Sequence, residues 1–279
     1  MFLLKWLVLF VKPLVSRFPR LSAIYRGMRD QLEEMAEPLP TPWGFMFAGN
    51  ISMAKGTFEP VETELVRRLL QEVDTLVNVG ANVGYYCCHA LSMGKPIIAF
   101  EPMPRNLRIL CNNINCNGWD GAEIFPIALS NKVSILEIYG ANTGASLVKG
   151  WAGISENYKT LVPCSTMDIL LNNRLDGKKA LVLVDIEGAE KWMLEGAQLM
   201  LDNVPSPIWV MEITSKELQP NGGTMNPNFK STFELFFKHG YEAFDIEENM
   251  RPMTKILINQ IFNGEIDFNS NNFMFRKLQ

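Results

Sequence analysis

The chain has 279 residues and 47% of them are hydrophobic, which fits a folded protein with a sizeable core and excludes extensive disorder. Its net charge is −4; residues 1–29 hold six basic and no acidic groups, which leaves −10 (−4 minus +6) for the remaining 250 residues. A body this acidic lacks the basic surface of a nucleic-acid-binding protein. Five cysteines without zinc-type spacing predict no structural metal and a reducing, cytoplasmic compartment.

The first 48 residues read as a hydrophobic and basic arm with a proline-rich joint, and the folded domain is expected over residues 49–279. The longest apolar run of the arm, residues 6–11, is far shorter than the ~20 residues that cross a bilayer. No cleavage site of a secretory signal follows it. Residues 1–29 suit a helix lying on the inner face of a membrane, and a helix packed on the domain's own surface is the alternative.

From residue 75 onward, short apolar runs alternate with helical segments, which is typical of parallel strands joined by crossover helices. The predicted strands are residues 75–79, 96–101, 123–129, 180–187, 207–214, 241–246 and 271–277. The predicted helices are residues 84–94, 104–117, 190–202 and 226–240. A glycine-rich insertion interrupts the pattern, with possible hairpin strands at residues 133–139 and 160–164. The pattern predicts an α/β fold around a mostly parallel, doubly wound sheet.

The loop after the first strand contains Gly80 and Gly84, where α/β sheets of this kind bind a nucleotide. A dinucleotide site needs glycine at the second and third positions of G-x-G-x-x-G, but Asn82 and Tyr85 occupy them and would crowd a pyrophosphate. S-adenosylmethionine has no phosphate, and its carboxylate could bind at the start of the helix. Glu101, which ends the second strand, could bind the ribose of either ligand. The loop therefore favours S-adenosylmethionine, and NAD with an oxidoreductase activity is the alternative.

Acidic residues are the candidate catalytic groups. His89 is expected in the core of the first helix and His239 at the end of a late helix, so neither is a strong candidate. Asp185 emerges at the end of the fourth strand, where it could take the proton of a hydroxyl acceptor; Glu187 and Glu212 are the alternatives. These three carboxylates could also hold a divalent cation, but one strand does not supply a cage, and no metal is predicted.

Two segments could cover the acceptor. The insertion, residues 139–161, has the glycines of a mobile lid, and its Trp151 and Tyr158 could lie flat against a sugar ring. A plain surface loop is the alternative. Residues 252–264 could form a second cover.

Six segments carry a family resemblance: NVGANVGYY, AFEPMPRNLRILCNNINCNG, PIALS, STMDILL, LVLVDIEGAEKWMLEGA and VMEI. In order and spacing they resemble the FkbM-type methyltransferases, which use S-adenosylmethionine and mostly methylate hydroxyl groups of sugars and other natural products. The resemblance runs from about residue 49 to the C terminus. It implies a Rossmann-like class I methyltransferase fold with an antiparallel last strand, and a saccharide, glycoconjugate or related natural product as acceptor.

The resemblance also implies a cofactor site made of Asn78, Gly80, Ala81, Asn82, Gly84, Glu101, Pro102, Ala128 and Ser130. The glycine loop would hold the methionyl group, Glu101 the ribose, and residues 128–130 the adenine. The DIEGAE segment would place Asp185 and Glu187 beside the transferred methyl group. The sequence departs from the family at Asn78, usually an acid, and at Leu183, often a lysine. These departures leave open a protein that binds the cofactor without turnover.

Overall fold

A computed structural model describes residues 37–140, 144–220 and 225–277. The expected membrane contact of residues 1–29 lies outside this range. The domain boundary at residue 48 stays a prediction. Within the described residues, no helix combines the length and the apolar character that crossing a bilayer requires.

The described chain alternates strands and helices along most of its length. Its first part contains β1 (Leu39–Pro40), β2 (Met46–Phe47), α1 (Ile51–Ala54), α2 (Pro60–Leu70), β3 (Thr75–Val79), α3 (Tyr85–Ser92), β4 (Ile97–Phe100), α4 (Pro104–Asn115), β5 (Ala122–Phe125), β6 (Ala128–Leu129) and β7 (Ser134–Tyr139). After a 3-10 turn at Trp151–Gly153, its second part contains β8 (Lys159–Ser165), α5 (Met167–Leu171), β9 (Ala180–Val184), α6 (Glu190–Glu195), α7 (Gln198–Leu201), β10 (Ile208–Glu212), α8 (Phe229–Lys238), β11 (Glu242–Asp245), β12 (Arg251–Pro252), α9 (Lys255–Phe262) and β13 (Asn272–Arg276).

The main sheet has eight strands in the order β12-β11-β13-β10-β9-β3-β4-β5. From β10 to β5 every pair of neighbours is parallel. The last strand, β13, runs antiparallel to both β10 and β11. The predicted α/β class, the mostly parallel sheet and the antiparallel last strand are therefore confirmed. The central strands β3 and β9 are buried along their whole length, which is why they are nearly continuous apolar runs in the sequence.

The sheet separates two apolar layers. Against α8 and α9, the layer includes the fully buried Val182, Trp209, Phe233, Phe236 and Phe275. Against α2 and α3, on the other face, the layer includes the fully buried Leu70, Leu76, Cys87, Leu110 and Leu181. Burial of each large apolar side chain contributes about 1.5–3 kcal/mol. The two layers hold the strands rigidly, so the loops at the strand ends start from well-defined positions.

The chain departs from the predicted elements at two breaks. The third strand was predicted over residues 123–129, but β5 ends before Pro126, which has no N–H for the ladder, and β6 joins a second sheet in the order β6-β8-β7. The helix predicted over residues 190–202 breaks between α6 and α7. Gly196 lies so close to another loop that a Cβ on it would be 2.3 Å from the Ser130 carbonyl oxygen. That close approach fixes the break.

One expectation about the insertion is confirmed, and the expectation of a second cover at residues 252–264 is corrected. Its predicted hairpin exists, because β7 and β8 pair antiparallel. The segment 252–264, predicted as a second cover, instead forms α9, which packs against α8. Ile258 and Ile261 of α9 belong to the core. This segment is therefore part of the helical layer and does not line the cleft described below.

Residues 43–47, at the end of the predicted arm and joint, pack on the domain. Phe45 and Phe47 are buried beside Tyr85 of α3, and Trp43 meets the His89 ring at 4.4 Å between centroids. His89 is completely buried, as predicted for a core residue. Its Nδ1 pairs with an Arg67 guanidinium nitrogen at 2.9 Å, and burial lowers its pKa to about 3. A neutral imidazole in an aromatic cage has a structural role.

Candidate active site

A cleft with about 580 Å³ of open space lies where β3, β4 and β9 end. The carboxyl ends of parallel strands share one edge of a sheet, and α/β folds bind their ligands outside that edge. Apolar residues of β6 and of the insertion also line the cleft. Of the predicted site residues, those that line the cleft are Gly80, Asn82, Glu101, Pro102, Ala128, Asp185 and Glu187.

The glycine loop bends sharply across the strand ends. Gly80 has a φ of +78°, and a Cβ on it would lie 1.9 Å from the Asp185 carbonyl oxygen, so only glycine fits. Gly84 precedes α3 with a φ of +85°, and its Cβ would lie 3.0 Å from Leu110. The N–H groups of Gly80 and Ala81 both donate to the Phe100 carbonyl oxygen, at 2.9 and 3.0 Å. The loop is thereby fixed to the end of β4.

Glu101 links three parts of the cleft. Its carboxylate accepts hydrogen bonds from the N–H of Asn82 at 2.8 Å, the N–H of Met103 at 2.8 Å and the Asn106 amide at 3.2 Å. Burial raises the pKa of Glu101, while these hydrogen bonds act in the opposite direction. A carboxylate can accept about four hydrogen bonds. Glu101 therefore shapes the loop, a role the sequence did not indicate, and retains capacity for a ribose hydroxyl.

Asn82 carries the polar group of the cleft that is best placed to bind a ligand. Its backbone has a φ of +52°, and its side chain lines the cleft. The side-chain oxygen Oδ1 is buried without a hydrogen-bond partner in the described part of the chain. A buried, unpaired amide oxygen costs about 1–3 kcal/mol. A ligand with ammonium or hydroxyl donors would remove that cost, and S-adenosylmethionine carries both.

The wall beside Glu101 is apolar. Pro102, Met103, Ile127, Ala128 and Leu129 line it, and their flat, uncharged surfaces suit a planar base. Ser130, predicted as the end of this wall, does not line the cleft. Its N–H donates to the Ser165 carbonyl oxygen at 2.9 Å, which joins β6 to β8.

Three further predicted cofactor residues lie outside the lining. Ala81 and Gly84 belong to the glycine loop, and Ala81 packs in the layer that contains Cys87. Asn78 is buried in β3, and its side-chain amide donates to the Cys87 sulfur at 3.5 Å. The structure thus places the Asn78 side chain between β3 and α3.

Asp185 and Glu212 form a carboxyl pair. They follow or end the neighbouring strands β9 and β10, and their side chains are hydrogen-bonded. Asp185 is exposed to the cleft, but the surrounding protein limits its hydration and, with the charge of Glu212, raises its pKa well above the ordinary value. Burial raises the pKa of Glu212 to about 7. Two carboxyls in contact share a proton near neutral pH, so the pair can accept another.

Glu187 connects the cleft to the insertion. It has a φ of +56°, and its carboxylate accepts a hydrogen bond from the Trp151 indole N–H at 2.7 Å. Its carbonyl oxygen accepts a hydrogen bond from the Ser146 hydroxyl. Trp151 is 2% exposed, and a Cβ on Gly188 would lie 2.5 Å from its ring. The prediction that Trp151 lies against a sugar is therefore wrong, because its ring is packed against the loop after β9.

Further acids come from a part of the chain that the sequence left unassigned. Glu59 precedes α2 and accepts a hydrogen bond from the Tyr86 hydroxyl at 3.0 Å. Glu62 lies in the first turn of α2, and the negative charges of Glu59, Asp185 and Glu247 contribute to raising its pKa. Burial raises its pKa to about 8. The only available signal was the segment FEPVE, within the stretch that resembles the start of the family's domain.

The acids are not arranged as a metal site. Within residues 37–140, 144–220 and 225–277, no group of three or more His, Cys, Asp or Glu side chains has an arrangement that could hold a metal ion.

Comparison with known proteins yields one family. A family model described as the methyltransferase FkbM domain matches residues 78–243, more than half of the chain. No curated protein matches the sequence.

Three solved structures are among those to which the chain is similar. A precorrin-6y C5,15-methyltransferase from Geobacter metallireducens is 10% identical, with 86% of this chain and 100% of that chain covered and a TM-score of 0.45. Aeropyrum pernix fibrillarin, solved with S-adenosyl-L-methionine, is 12% identical, with coverages of 76% and 73% and a TM-score of 0.38. A Pyrococcus abyssi tRNA (uracil-54, C5)-methyltransferase, solved with S-adenosyl-L-homocysteine, is 13% identical, with coverages of 83% and 41% and a TM-score of 0.40.

Proposed function

Because the chain belongs to the FkbM methyltransferase family, we propose that it transfers a methyl group from S-adenosylmethionine to a hydroxyl group of a saccharide, a glycoconjugate or a related natural product. S-adenosylmethionine is the cofactor, which removes NAD as the alternative. The observation that carries the proposal is the Asp185–Glu212 carboxyl pair, which lies on the same sheet edge as the glycine loop.

Different residues of the cleft would bind different parts of the cofactor. Asn82 and Glu101 would accept hydrogen bonds from the polar half of the cofactor, and the wall around Ala128 would hold its base. When bound, S-adenosylmethionine supplies an electrophilic methyl group on a positively charged sulfur. Methyl transfer needs the acceptor oxygen and the methyl group held in line and dry, so positioning supplies much of the catalysis. The apolar wall and the insertion serve that requirement.

The carboxyl pair supports an oxygen acceptor. A hydroxyl must lose its proton as it attacks, and a base with a pKa near the working pH does this best. Glu212 has such a pKa, about 7, and Asp185 is exposed to the cleft beside it. We therefore assign proton acceptance to Asp185, with Glu212 as its hydrogen-bonded partner. Glu187 is a positioning residue, because its carboxylate binds the Trp151 indole.

The proposal is tested with the full chain, S-adenosylmethionine and a panel of mono- and oligosaccharides. Release of S-adenosylhomocysteine gives the rate, and mass spectrometry with NMR locates the methyl group on the product. We expect a methyl ether on at least one saccharide. Methylation of nitrogen or carbon instead would overturn the assignment to oxygen. Tight cofactor binding with slow product release for every acceptor would favour the alternative of a binding protein without turnover.

A further inference from the structure

The loop after β9, residues 185–189, has an unfavourable backbone conformation where it lines the cleft. Its lining residues are Asp185, Ile186, Glu187 and Ala189. Glu187 and Gly188 are both left-handed, with φ angles of +56° and +95°. For a residue with a Cβ, such as Glu187, this conformation costs about 1–2 kcal/mol. The loop therefore depends on contacts with other segments to keep its shape.

The insertion supplies those contacts. The Trp151 indole N–H donates to Oε2 of Glu187 at 2.7 Å, and the Ser146 hydroxyl donates to the Glu187 carbonyl oxygen. The Trp151 ring lies against Gly188, where a Cβ would be 2.5 Å from it. One segment thus binds the side chain of Glu187, its backbone and the residue that follows it.

The insertion is itself anchored to the domain. The N–H and carbonyl groups of Ser146 exchange hydrogen bonds with those of Tyr139, at 2.9 and 2.8 Å. The Ala152 N–H donates to the Leu218 carbonyl oxygen, in the loop after β10, at 2.7 Å. Ser146 and Trp151 are both buried. Their contacts with Glu187 therefore come from a fixed support.

The sheet holds the other end of the same loop. The Asp185 N–H donates to the Val79 carbonyl oxygen at 3.0 Å, and Gly80 lies directly against the Asp185 carbonyl oxygen. The sheet thus fixes the first residue of the loop, and the insertion fixes Glu187 and Gly188. The conformation of residues 185–188 is fully determined only when both ends are held.

From these contacts we infer that Trp151 is a positioning residue for methyl transfer, which acts through Glu187 to hold the loop that contains Asp185. The inference rests on the proposed function and adds to it a residue that does not line the cleft. Displacement of a reacting group by about 1 Å can slow a reaction about 10²-fold, so a hydrogen bond that never touches the acceptor can control the rate. The alternative is that Trp151 only fills the core of the insertion, which predicts lower stability with an unchanged kcat.

Trp151→Phe keeps a ring over Gly188 but removes the indole N–H. Its matched control is Trp119→Phe, at a partly buried position that packs on Phe45 and does not line the cleft. With a saccharide that the wild type methylates, we expect Trp151→Phe to lower kcat about tenfold or more and to change both KM values by less than about threefold. Trp119→Phe should behave as wild type. An unchanged kcat, a loss confined to KM or an equal loss in the control would overturn the inference.

Variants of Glu187 test whether the hydrogen bond carries the effect. Glu187→Gln keeps a side-chain oxygen that can accept from the indole N–H, whereas Glu187→Ala removes it. We expect the glutamine variant to transfer the methyl group about tenfold faster than the alanine variant. Trp151→Phe should add no further loss to Glu187→Ala, because both remove the same hydrogen bond. Equal rates of the two Glu187 variants, or additive losses, would overturn the inference. The single Glu187 variants leave the Trp151 ring in place and decide the question if Trp151→Phe fails to fold.

Amide hydrogen exchange separates this inference from the proposed function, because it needs no turnover. The wild type, Trp151→Phe and Glu187→Ala are compared with S-adenosylhomocysteine bound. We expect both variants to exchange about tenfold faster at the Gly188 amide, which donates to the Glu190 carboxylate at 2.7 Å, with unchanged exchange in β3 and β9. Unchanged exchange at Gly188 would overturn the inference, even if the wild type methylates a saccharide. Faster exchange in the variants, with no methylation of any saccharide by the wild type, would refute the proposed function and leave the support of the loop by Trp151 standing.

Discussion

The carboxyl groups of Asp185 and Glu212 are hydrogen-bonded to each other, at the ends of two parallel strands that lie side by side. Their registers bring them to the same sheet edge as the glycine loop after β3. An acid pair that shares a proton next to this loop is suited to remove a proton during methyl transfer.

The proton shared by this pair predicts how activity depends on pH. The pKa of Glu212 is about 7, and that of Asp185 is raised as well, so the pair loses its basic form as pH falls. We expect kcat to decline below about pH 7. Glu212→Gln removes the negative charge that raises the pKa of Asp185, so the decline should move to lower pH. Rates of S-adenosylhomocysteine release across pH measure this; an unchanged midpoint in the variant would contradict the assignment.

Replacement of Glu62 by a residue that cannot ionise should raise the stability of the protein at high pH. Its folded pKa of about 8 lies above its ordinary value of 4.5, so the stability that its protonation contributes is fully present below about pH 4.5 and is lost as pH rises through about 8. Glu62→Gln cannot ionise, and we expect it to raise the free energy of unfolding by about 2 kcal/mol at about pH 9, with little change at about pH 5. Urea denaturation at the two pH values, with Glu64→Gln as control, measures the difference. A gain that is equal at both pH values would rule out this cause.

The position of Gly80 should not tolerate any side chain. Gly80→Ala would bring a Cβ to 1.9 Å from the Asp185 carbonyl oxygen at a φ of +78°, so we expect loss of folding stability of about 3 kcal/mol or more and loss of cofactor binding. Gly94 has a φ of +72° with no atom within 4 Å, so Gly94→Ala should cost only about 1 kcal/mol. Thermal denaturation and calorimetry with S-adenosylmethionine compare them. Similar losses in the two variants would mean that the close approach to Asp185 does not matter.

Substitution of Asn82 should weaken cofactor binding without lowering the stability of the fold. Asn82→Gly tolerates the φ of +52° and removes the unpaired Oδ1, while the backbone N–H that binds Glu101 remains. We expect unchanged or slightly higher stability and about tenfold weaker binding of S-adenosylmethionine. Calorimetry and denaturation of the same preparation measure both. Wild-type affinity in the variant would show that Oδ1 does not contact the cofactor.

The parts of the fold that follow from local patterns were predictable. Strands β3 and β9 are short apolar runs bounded by glycine or polar residues, and Gly80 and Glu101 stand at fixed offsets from strand ends. Parallel strands then oblige these residues to share one edge. The same reasoning placed Asp185 in the cleft.

The parts of the fold and of the site that depend on contacts between distant residues could not be predicted from the sequence. Trp151 in a glycine-rich loop suggested an exposed ring, but it is paired with Glu187, 36 residues away in sequence. Asn78 lies in a strand that is covered on both faces, so the sequence has no alternation of apolar and polar residues that would tell which face its side chain takes. In the structure its side chain lies on the face of α3, where it donates to the Cys87 sulfur. The break at Gly196 comes from the Ser130 carbonyl oxygen, and Glu62 reaches the cleft only through the packing of α2. None of these contacts leaves a periodic signal.

The most direct test of the account measures one round of methyl transfer by Asp185→Asn. Its matched control is Asp176→Asn, an exposed position before β9. With isotopically labelled S-adenosylmethionine and a saccharide that the wild type methylates, we predict that Asp185→Asn binds the cofactor normally but transfers the methyl group about 10²–10⁴ times more slowly, while Asp176→Asn behaves as wild type. Transfer at the wild-type rate by Asp185→Asn would contradict the account.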